Sequence, residues 1–242
     1  MTSIFAKECT RFEIEEKIHS NAYAILPVGA CEQHGPHLPI GTDTYLAEYY
    51  SEKIASKINA LIFPSVSFGY SWVWKELPGT LTLSQETFNH LLVELMVSLI
   101  GQGFKKILIV NGHDSNCKGL RYAARDIRDK YPEIQVLIIF YPNMNDLYAK
   151  YMESEKWHGM FHAEEWETSL MLSAKEELVH MEKAVCEYPQ KPPLYGLDSS
   201  SLSTLSHSGI FGDATAATKE KGDNLIAELT DYLVDLLGKT NQ

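Results

Sequence analysis

The sequence predicts an α/β fold in which a mainly parallel sheet is covered by helices on both faces. Four short runs consist mainly of apolar residues, without the regular alternation of apolar and polar positions. Such runs are typical of strands buried on both sides, because a strand with one wet face alternates between apolar and polar residues. Stretches with helical periodicity separate these runs, as expected for the crossovers that join parallel strands.

The predicted strands are continuous in their apolar character. They span residues 23–29, 61–67, 106–110 and 136–141. Pro64, in the second run, has no N–H to donate to a neighbouring strand. We therefore expect this strand at a sheet edge or at a bulge.

The predicted helices follow from apolar residues at three- and four-residue spacing. Ser84 is the expected N-cap of the second helix, and Gly101 and Gly103 end it. The full set covers residues 43–58, 84–101, about 115–131, 163–176 and about 213–237.

Two other segments lack this regularity. Residues 142–161 are interpreted as an insertion or a short helix, and residues 186–212 as a long Pro- and Ser-rich loop. Long loops in compact domains are usually functional, so we expect the second segment to form an oligomer contact or an active-site wall.

Length and composition indicate one soluble globular enzyme domain over residues 1–242, since 45% of residues are hydrophobic and 22% are charged. No apolar run approaches the ~20 residues of a membrane helix, so we expect no membrane partner. The N-terminus lacks the long apolar core of a secretory signal, which predicts a cytoplasmic location.

The net charge of −11 argues against nucleic acid and anionic membranes as partners. Four scattered cysteines form no C-x-x-C motif, and we interpret them as reduced thiols.

The first chemical motif is EQHGPHLPIGTD at residues 32–43, directly after the first predicted strand. Glu32 and His34 fall on one side of an extended segment, because side chains repeat every two residues there. Gly35 and Pro36 bend the chain, so Asp43 can return to the same point. Carboxylate and imidazole donors suit zinc, manganese or iron(II). An isolated Glu-x-His at a strand end carries no such meaning, so the prediction depends on further ligands.

The second and third motifs supply those ligands. NGHDSN at residues 111–116 follows the third predicted strand and places His113 at the same edge of the sheet, although a helix-capping turn is the alternative. HAEEWETSLML at residues 162–172 places His162 just before a helix. Glu167 precedes an apolar run and would be buried, whereas we expect Glu164 to be a solvated residue of the first turn.

The predicted ligand set is therefore Glu32, His34, Asp43, His113 and Glu167. These five donors suffice for two divalent ions if one carboxylate bridges. Paired ions activate water at neutral pH and polarise a carbonyl oxygen, which favours hydrolysis of an acyl carbon–nitrogen bond by a metal-bound hydroxide. His162 is then a candidate proton shuttle to the leaving nitrogen, with Glu165 as the alternative.

At these residues the chain resembles the creatininase family, whose three signatures occur here in the expected order. Two lesser motifs, Leu77-Pro-Gly-Thr80 and the Gly209–Gly222 block, extend the resemblance from about residue 20 to residue 225. The resemblance implies a three-layer α/β/α sandwich, a dinuclear metal centre and often a hexamer. It also implies that Asp43 bridges the ions and that His162 is the catalytic histidine.

Departures from the family pattern bear on the substrate. Creatininase itself has His-Tyr-Glu where this chain has His113-Asp-Ser115, so the resemblance implies that Glu167 replaces that glutamate as a ligand. Glu164 replaces a usual glycine, and Trp74 replaces a frequent histidine. We therefore expect a member other than creatininase itself. Trp72 and Trp157, with Trp74, suggest an aromatic pocket for a flat molecule.

The predicted function is hydrolysis of a cyclic amide or formamide of a small molecule by a homo-oligomeric enzyme with two zinc, manganese or iron ions. The alternatives are a peptidase similar to the mycofactocin-maturation type and a non-catalytic family member used for binding or assembly. A missing ligand would favour the non-catalytic alternative, and no ligand position is empty in the sequence.

Overall fold

The computed structural model describes residues 3–240, and its centre is a four-stranded parallel sheet. The strand order is β2-β1-β3-β4, so the strand containing the most buried apolar run, β1, pairs on both sides. The strands are β1 (Tyr23–Val28), β2 (Ala60–Ile62), β3 (Lys106–Asn111) and β4 (Gln135–Ile139).

The helices cover the sheet in two layers. They are α1 (Arg11–His19), α2 (Thr42–Ala55), α3 (Gln85–Gln102), α4 (Cys117–Lys130), α5 (Met144–Tyr151), α6 (Glu165–Lys175) and α7 (Lys219–Thr240). Tyr23 and Ile25 of β1 pack in one core with α2, α6 and α7, whereas Ala24 and Leu26 pack in a second core with α3 and α4. This alternation follows from the two-residue repeat of a strand and confirms the predicted three-layer α/β architecture.

The edge position predicted from Pro64 agrees with the strand order, in which β2 is the outermost strand, although Phe5 forms an isolated bridge with Ile62 on its outer side. The strand is shorter than predicted and ends at Ile62. Beyond it the chain stays beside β1 through separate bonds, in which Phe63 N–H donates to Ile25 O and Val66 N–H donates to Pro27 O. Pro64 interrupts the regular ladder between these two points.

Helix ends follow ordinary capping chemistry. The Ser84 side chain accepts a hydrogen bond from Thr87 N–H at the start of α3, as predicted. Gly103 follows the end of α3 with a φ of 109°, a left-handed conformation that glycine adopts without steric cost. Helix α1 was not predicted from the apolar pattern, although Thr10 and Glu13 form a complete capping box at its start.

The C-terminal part differs from its prediction in one respect. Helix α7 begins at Lys219, not near residue 213, because the Asp213 carboxylate accepts hydrogen bonds from the backbone and hydroxyl of Thr215 and forms a turn. The predicted loop is joined at its two ends by a small antiparallel ladder of β5 (Cys186–Glu187) and β6 (Gly212–Asp213). Within residues 3–240, no helix has the length and apolar character needed to span a membrane.

Candidate metal centre

The candidate centre lies where the carboxyl ends of β1 and β3 meet the first turns of two helices. The segment after β1 supplies Glu32 and His34, and the segment after β3 supplies His113. Asp43 lies in the first turn of α2 and Glu167 in the first turn of α6. All five side chains are buried, and the structure thus brings together every residue of the predicted ligand set.

Two glycines allow α2 to approach the sheet this closely. A Cβ atom on Gly112 would lie 2.1 Å from the backbone oxygen of Asp43, and one on Gly29 would lie 2.4 Å from the Thr44 hydroxyl oxygen. Neither distance is compatible with a side chain. The glycine that precedes His113 therefore positions Asp43 on the neighbouring helix as well.

The five side chains form two groups that share Asp43. In one, Asp43 Oδ2 lies 3.1 Å from His113 Nδ1, and Glu32 Oε2 lies 3.4 Å from His113 Nε2. In the other, Asp43 Oδ1 lies 3.1 Å from His34 Nε2, and Glu167 Oε2 lies 4.0 Å from the same nitrogen. The two carboxylate oxygens of Asp43 thus face different histidines.

The polar atoms in this cluster fit divalent cations. Both carboxylate oxygens of Glu32, Nε2 of His34 and Oδ2 of Asp43 are buried and make no hydrogen bond. Buried polar groups are otherwise almost always hydrogen-bonded, since an unmatched one is costly. Three carboxylates and two imidazoles that converge in this way form the kind of donor set that zinc, manganese and iron accept.

Backbone carbonyls orient the two imidazoles. His34 Nδ1 lies 3.0 Å from the carbonyl oxygen of Glu32, and His113 Nε2 lies 3.1 Å from the carbonyl oxygen of Tyr70. Because a carbonyl only accepts, each of these nitrogens carries the hydrogen. The second nitrogen of each ring is then left to face Asp43, an arrangement typical of metal-binding histidines.

The charges in the cluster are strongly coupled. Burial raises the pKa of Glu32 and of Glu167 to about 7. Burial also opposes protonation of the imidazoles, but the neighbouring carboxylates outweigh it and raise the pKa of His34 to about 9 and that of His113 to about 10. Despite burial, the neighbouring His34 and His113 lower the pKa of Asp43, so the charge of this carboxylate is balanced by the two imidazoles. A bound cation would displace the protons that these groups hold.

His162 lies beside the cluster and not within either group that contains Asp43. Its Nε2 lies 2.9 Å from both the carbonyl oxygen and the side-chain Nε2 of Gln33, and its Nδ1 faces Glu32 Oε1 at 3.7 Å. Trp74 stacks on the imidazole with ring centroids 4.7 Å apart. Burial and the neighbouring His34 lower the pKa of His162, which favours the neutral ring. Glu32, His34 and His162 could also hold an ion together, so geometry alone permits either role.

The prediction that Glu164 is solvated is wrong. Its side chain is fully buried at the N-cap of α6, where it accepts hydrogen bonds from Trp166 N–H and the Tyr148 hydroxyl. Burial raises its pKa to about 8. The expectation failed because a helix dipole favours an acidic N-terminus whether it is exposed or buried, and the sequence does not show which segment covers it.

The carboxylate of Glu165, the alternative proton shuttle, is also bound by other groups of the protein. It is an acceptor for the backbone N–H groups of Glu153 and Ser154 and forms an ion pair with Lys221. This arrangement does not support a role for Glu165 in proton transfer.

A pocket of about 410 Å³ opens onto the centre. Trp74 lines it, as expected. Trp157, by contrast, packs between Phe211 and Tyr195 and donates its N–H to the Pro189 oxygen, while Trp72 lies against Lys75. Several apolar lining residues were not predicted, because they come from segments without a motif: Phe140, Met144, Met160, Phe161, Tyr195 and Leu202.

Comparison with known proteins agrees with the motifs. The family model for creatininase, described as creatinine amidohydrolase, matches residues 7–237. Creatinine amidohydrolase of Pseudomonas putida is 27% identical over 97% of this chain and 96% of its own length. A 3-dehydro-scyllo-inosose hydrolase of Thermotoga maritima is also 27% identical, covering 98% and 83% of the two chains. A mycofactocin precursor peptide peptidase of Mycolicibacterium smegmatis is 28% identical, covering 90% and 86%.

Solved structures show the same relationship. A crystal structure of creatinine amidohydrolase superposes with a TM-score of 0.88 at 26% identity and covers 99% of this chain and 98% of its own. A structure described as creatininase with Mn has a TM-score of 0.86 at 25% identity and covers 99% of both chains. A zinc–zinc form of a creatininase mutant is equally similar. The moderate identity is consistent with a member other than creatininase itself. The chain belongs to the creatininase (creatinine amidohydrolase) family and is a hydrolase that acts on carbon–nitrogen bonds.

Proposed function

We propose that this protein is a dinuclear metal-dependent amidohydrolase that cleaves a cyclic amide or a formamide of a small molecule. The observation that carries the proposal is the position of Asp43 between two groups of donors. Glu32 and His113 would hold one ion with Asp43, and His34 and Glu167 would hold the other. Zinc, manganese and iron(II) all suit these donors.

When bound, the ions would supply Lewis-acid polarisation of the scissile carbonyl and a water-derived nucleophile at neutral pH. The chain itself contributes His162, whose Nδ1 faces the centre while Nε2 is held by the backbone carbonyl and side-chain amide of Gln33. We infer that His162 transfers a proton to the leaving nitrogen, which in general acid catalysis contributes roughly 10²–10⁴-fold to the rate. Trp74 fixes the plane of this ring by stacking and shields it from water.

The pocket wall supports a small, flat and uncharged substrate. Aromatic and methionine side chains form much of the lining, and none of the described lining residues is Lys or Arg. A carboxylate or phosphate on the substrate would therefore meet no lysine or arginine side chain among these residues. The volume of about 410 Å³ lies in the usual range for small-molecule sites.

A peptidase is the second candidate, and one observation favours it. A neighbouring cavity of about 560 Å³ shares Asp114, Ser115 and Phe140 with the pocket. A peptide bound at the centre could extend into this cavity. The similarity to mycofactocin precursor peptide peptidases points in the same direction.

The test is an activity screen on protein from which metal has been removed and then replaced by zinc, manganese or iron(II). We expect hydrolysis of one or more cyclic amides or formamides, with no comparable turnover of peptides. Turnover of peptides alone would favour the second candidate. Absence of turnover with both metal sites filled would instead support a non-catalytic role.

A further inference from the structure

One of the loops that line the pocket begins and ends at neighbouring positions. This rim loop, residues 152–164, leaves the end of α5 and returns at the start of α6. It lines the pocket with five consecutive residues, 158–162, the last of which is His162. Its two ends lie close together, as in an Ω-type loop.

The first residue of α6 ties the two ends of the rim loop to each other. The Glu165 carboxylate accepts hydrogen bonds from Glu153 N–H at 3.0 Å and Ser154 N–H at 2.7 Å. Its side chain is fully buried. A carboxylate at the end of the loop thus binds the backbone at the beginning.

Lys221 of α7 balances this buried charge. Its ammonium group forms an ion pair with Glu165 and lies 2.9 Å from Glu153 Oε1, and it donates to the Ala216 oxygen at 2.8 Å. The Glu165 carboxylate thus has a cation on one side and the loop backbone N–H groups on the other.

Other contacts hold the rest of the rim loop. Trp157 donates its indole N–H to the Pro189 oxygen at 2.6 Å, and the Tyr188 hydroxyl donates to the Glu155 oxygen at 3.1 Å. At the far end, Phe211 N–H donates to the His162 oxygen at 3.0 Å. None of these three contacts lies at the neck of the rim loop, the point where its two ends meet. The Glu165–Lys221 pair holds the loop together there.

We propose that Glu165 and Lys221 are positioning residues that close the neck of the rim loop and so fix the wall of the substrate pocket. Loss of the pair loosens residues 152–161 while His162 stays bound to Gln33 and the metal ligands stay in place. Substrate binding should then suffer more than the chemical step. The kinetic part of this inference rests on the proposed amidohydrolase function.

The test compares Lys221→Met with Lys219→Met in metal-loaded protein. Lys219 is a matched control, because it lies on the same helix and forms an exposed ion pair with Glu176, a type that contributes little. Hydrogen–deuterium exchange should become about tenfold faster in residues 152–161 of Lys221→Met, since local opening is favoured there. Exchange in β1 and β3 and the metal content should be unchanged. Lys221→Arg should restore the slow exchange, and Lys221→Gln replaces Lys221→Met if that variant does not fold.

Kinetics supply the second readout. On an amide that the wild type hydrolyses, Lys221→Met should raise KM by about tenfold with a much smaller change in kcat, the pattern of lost substrate binding. Unchanged exchange in residues 152–161, or acceleration spread equally over β1 and β3, would overturn the proposal. If the wild type hydrolyses no amide, the proposed function fails, but the exchange measurement still decides the role of the pair.

Discussion

Among single residues, Asp43 holds the central position in the candidate metal centre. Its two carboxylate oxygens lie 3.1 Å from nitrogens of two different histidines, His34 and His113. Glu32 and Glu167 each join only one of the two groups that contain Asp43. The roles of these three carboxylates can therefore be separated by mutation.

We expect Asp43→Ala to abolish activity and to lower the occupancy of both metal sites, because each site would lose a ligand. Glu32→Ala and Glu167→Ala should each deplete mainly one site. Asp114→Ala, which removes a pocket carboxylate outside both groups, is the control and should retain both ions. Elemental analysis of the purified variants measures the number of metal ions that each retains. Retention of both ions by Asp43→Ala would show that Asp43 does not bridge.

The role of His162 can be tested in the same way. If its Nδ1 carries a proton and not a metal ion, His162→Ala should keep both ions and the native fold while kcat falls by roughly 10²–10⁴-fold. The exposed His180 offers a control, and His180→Ala should change neither quantity. Metal loss in proportion to activity loss would instead identify His162 as a ligand with Glu32 and His34.

At the scale of elements, the centre depends on how closely α2 approaches the ends of β1 and β3. Gly112 makes this approach possible because its missing side chain leaves room for the backbone of Asp43. The neighbouring atoms belong to a helix backbone and cannot rotate away as a flexible side chain could. A methyl group here must therefore displace the first turn of α2.

We expect Gly112→Ala to destabilise the protein by about 1–3 kcal/mol or more, in the range of overpacking, and to weaken metal binding. Gly101→Ala, in the last turn of α3, is the matched control, because a Cβ there meets no atom within 4 Å. Thermal unfolding and metal titration of both variants measure these effects. Equal metal affinity in Gly112→Ala and the wild type would contradict the packing argument.

Much of the fold could be predicted because its signals are local. The apolar runs of β1, β3 and β4 and the caps and periodicity of α3 are visible in single stretches of sequence. Helix α1 was missed because it buries none of its residues and so has no apolar stripe. Its Thr10–Glu13 capping box was the signal that could have revealed it.

For the site, too, local features could be predicted and features that depend on distant segments could not. The five predicted ligands meet because each follows a strand or begins a helix, which places them at one edge of the sheet. The burial of Glu164 and the ion pair between Glu165 and Lys221 could not be predicted. Both depend on α5, α7 and the rim loop, whose packing leaves no local pattern in the sequence.

At the scale of the whole molecule, the Pro- and Ser-rich segment 186–212 forms part of the pocket wall. Tyr195 and Leu202 pack against the cluster of Trp74, Trp157 and Phe211. The same segment also exposes large apolar side chains, since Leu194 is 59% and Leu197 is 83% exposed. Exposed apolar groups of this kind are common where subunits meet.

We therefore expect a homo-oligomer, and the family resemblance makes a hexamer the specific prediction. Light scattering at micromolar concentration measures the mass. Leu197→Asp should weaken the assembly if this segment lies at a subunit contact, whereas Phe12→Asp, on the separate surface of α1, is the control. A wild-type monomer at that concentration would remove the argument.

The number of metal ions per chain distinguishes a dinuclear centre from a mononuclear one. Protein would be purified without added metal and then saturated with zinc or manganese, and elemental analysis would be combined with anomalous scattering from crystals. Two ions per chain, one between Glu32, Asp43 and His113 and the other between His34, Asp43 and Glu167, is the predicted result. A single, fully occupied ion with metal in excess would contradict the dinuclear centre.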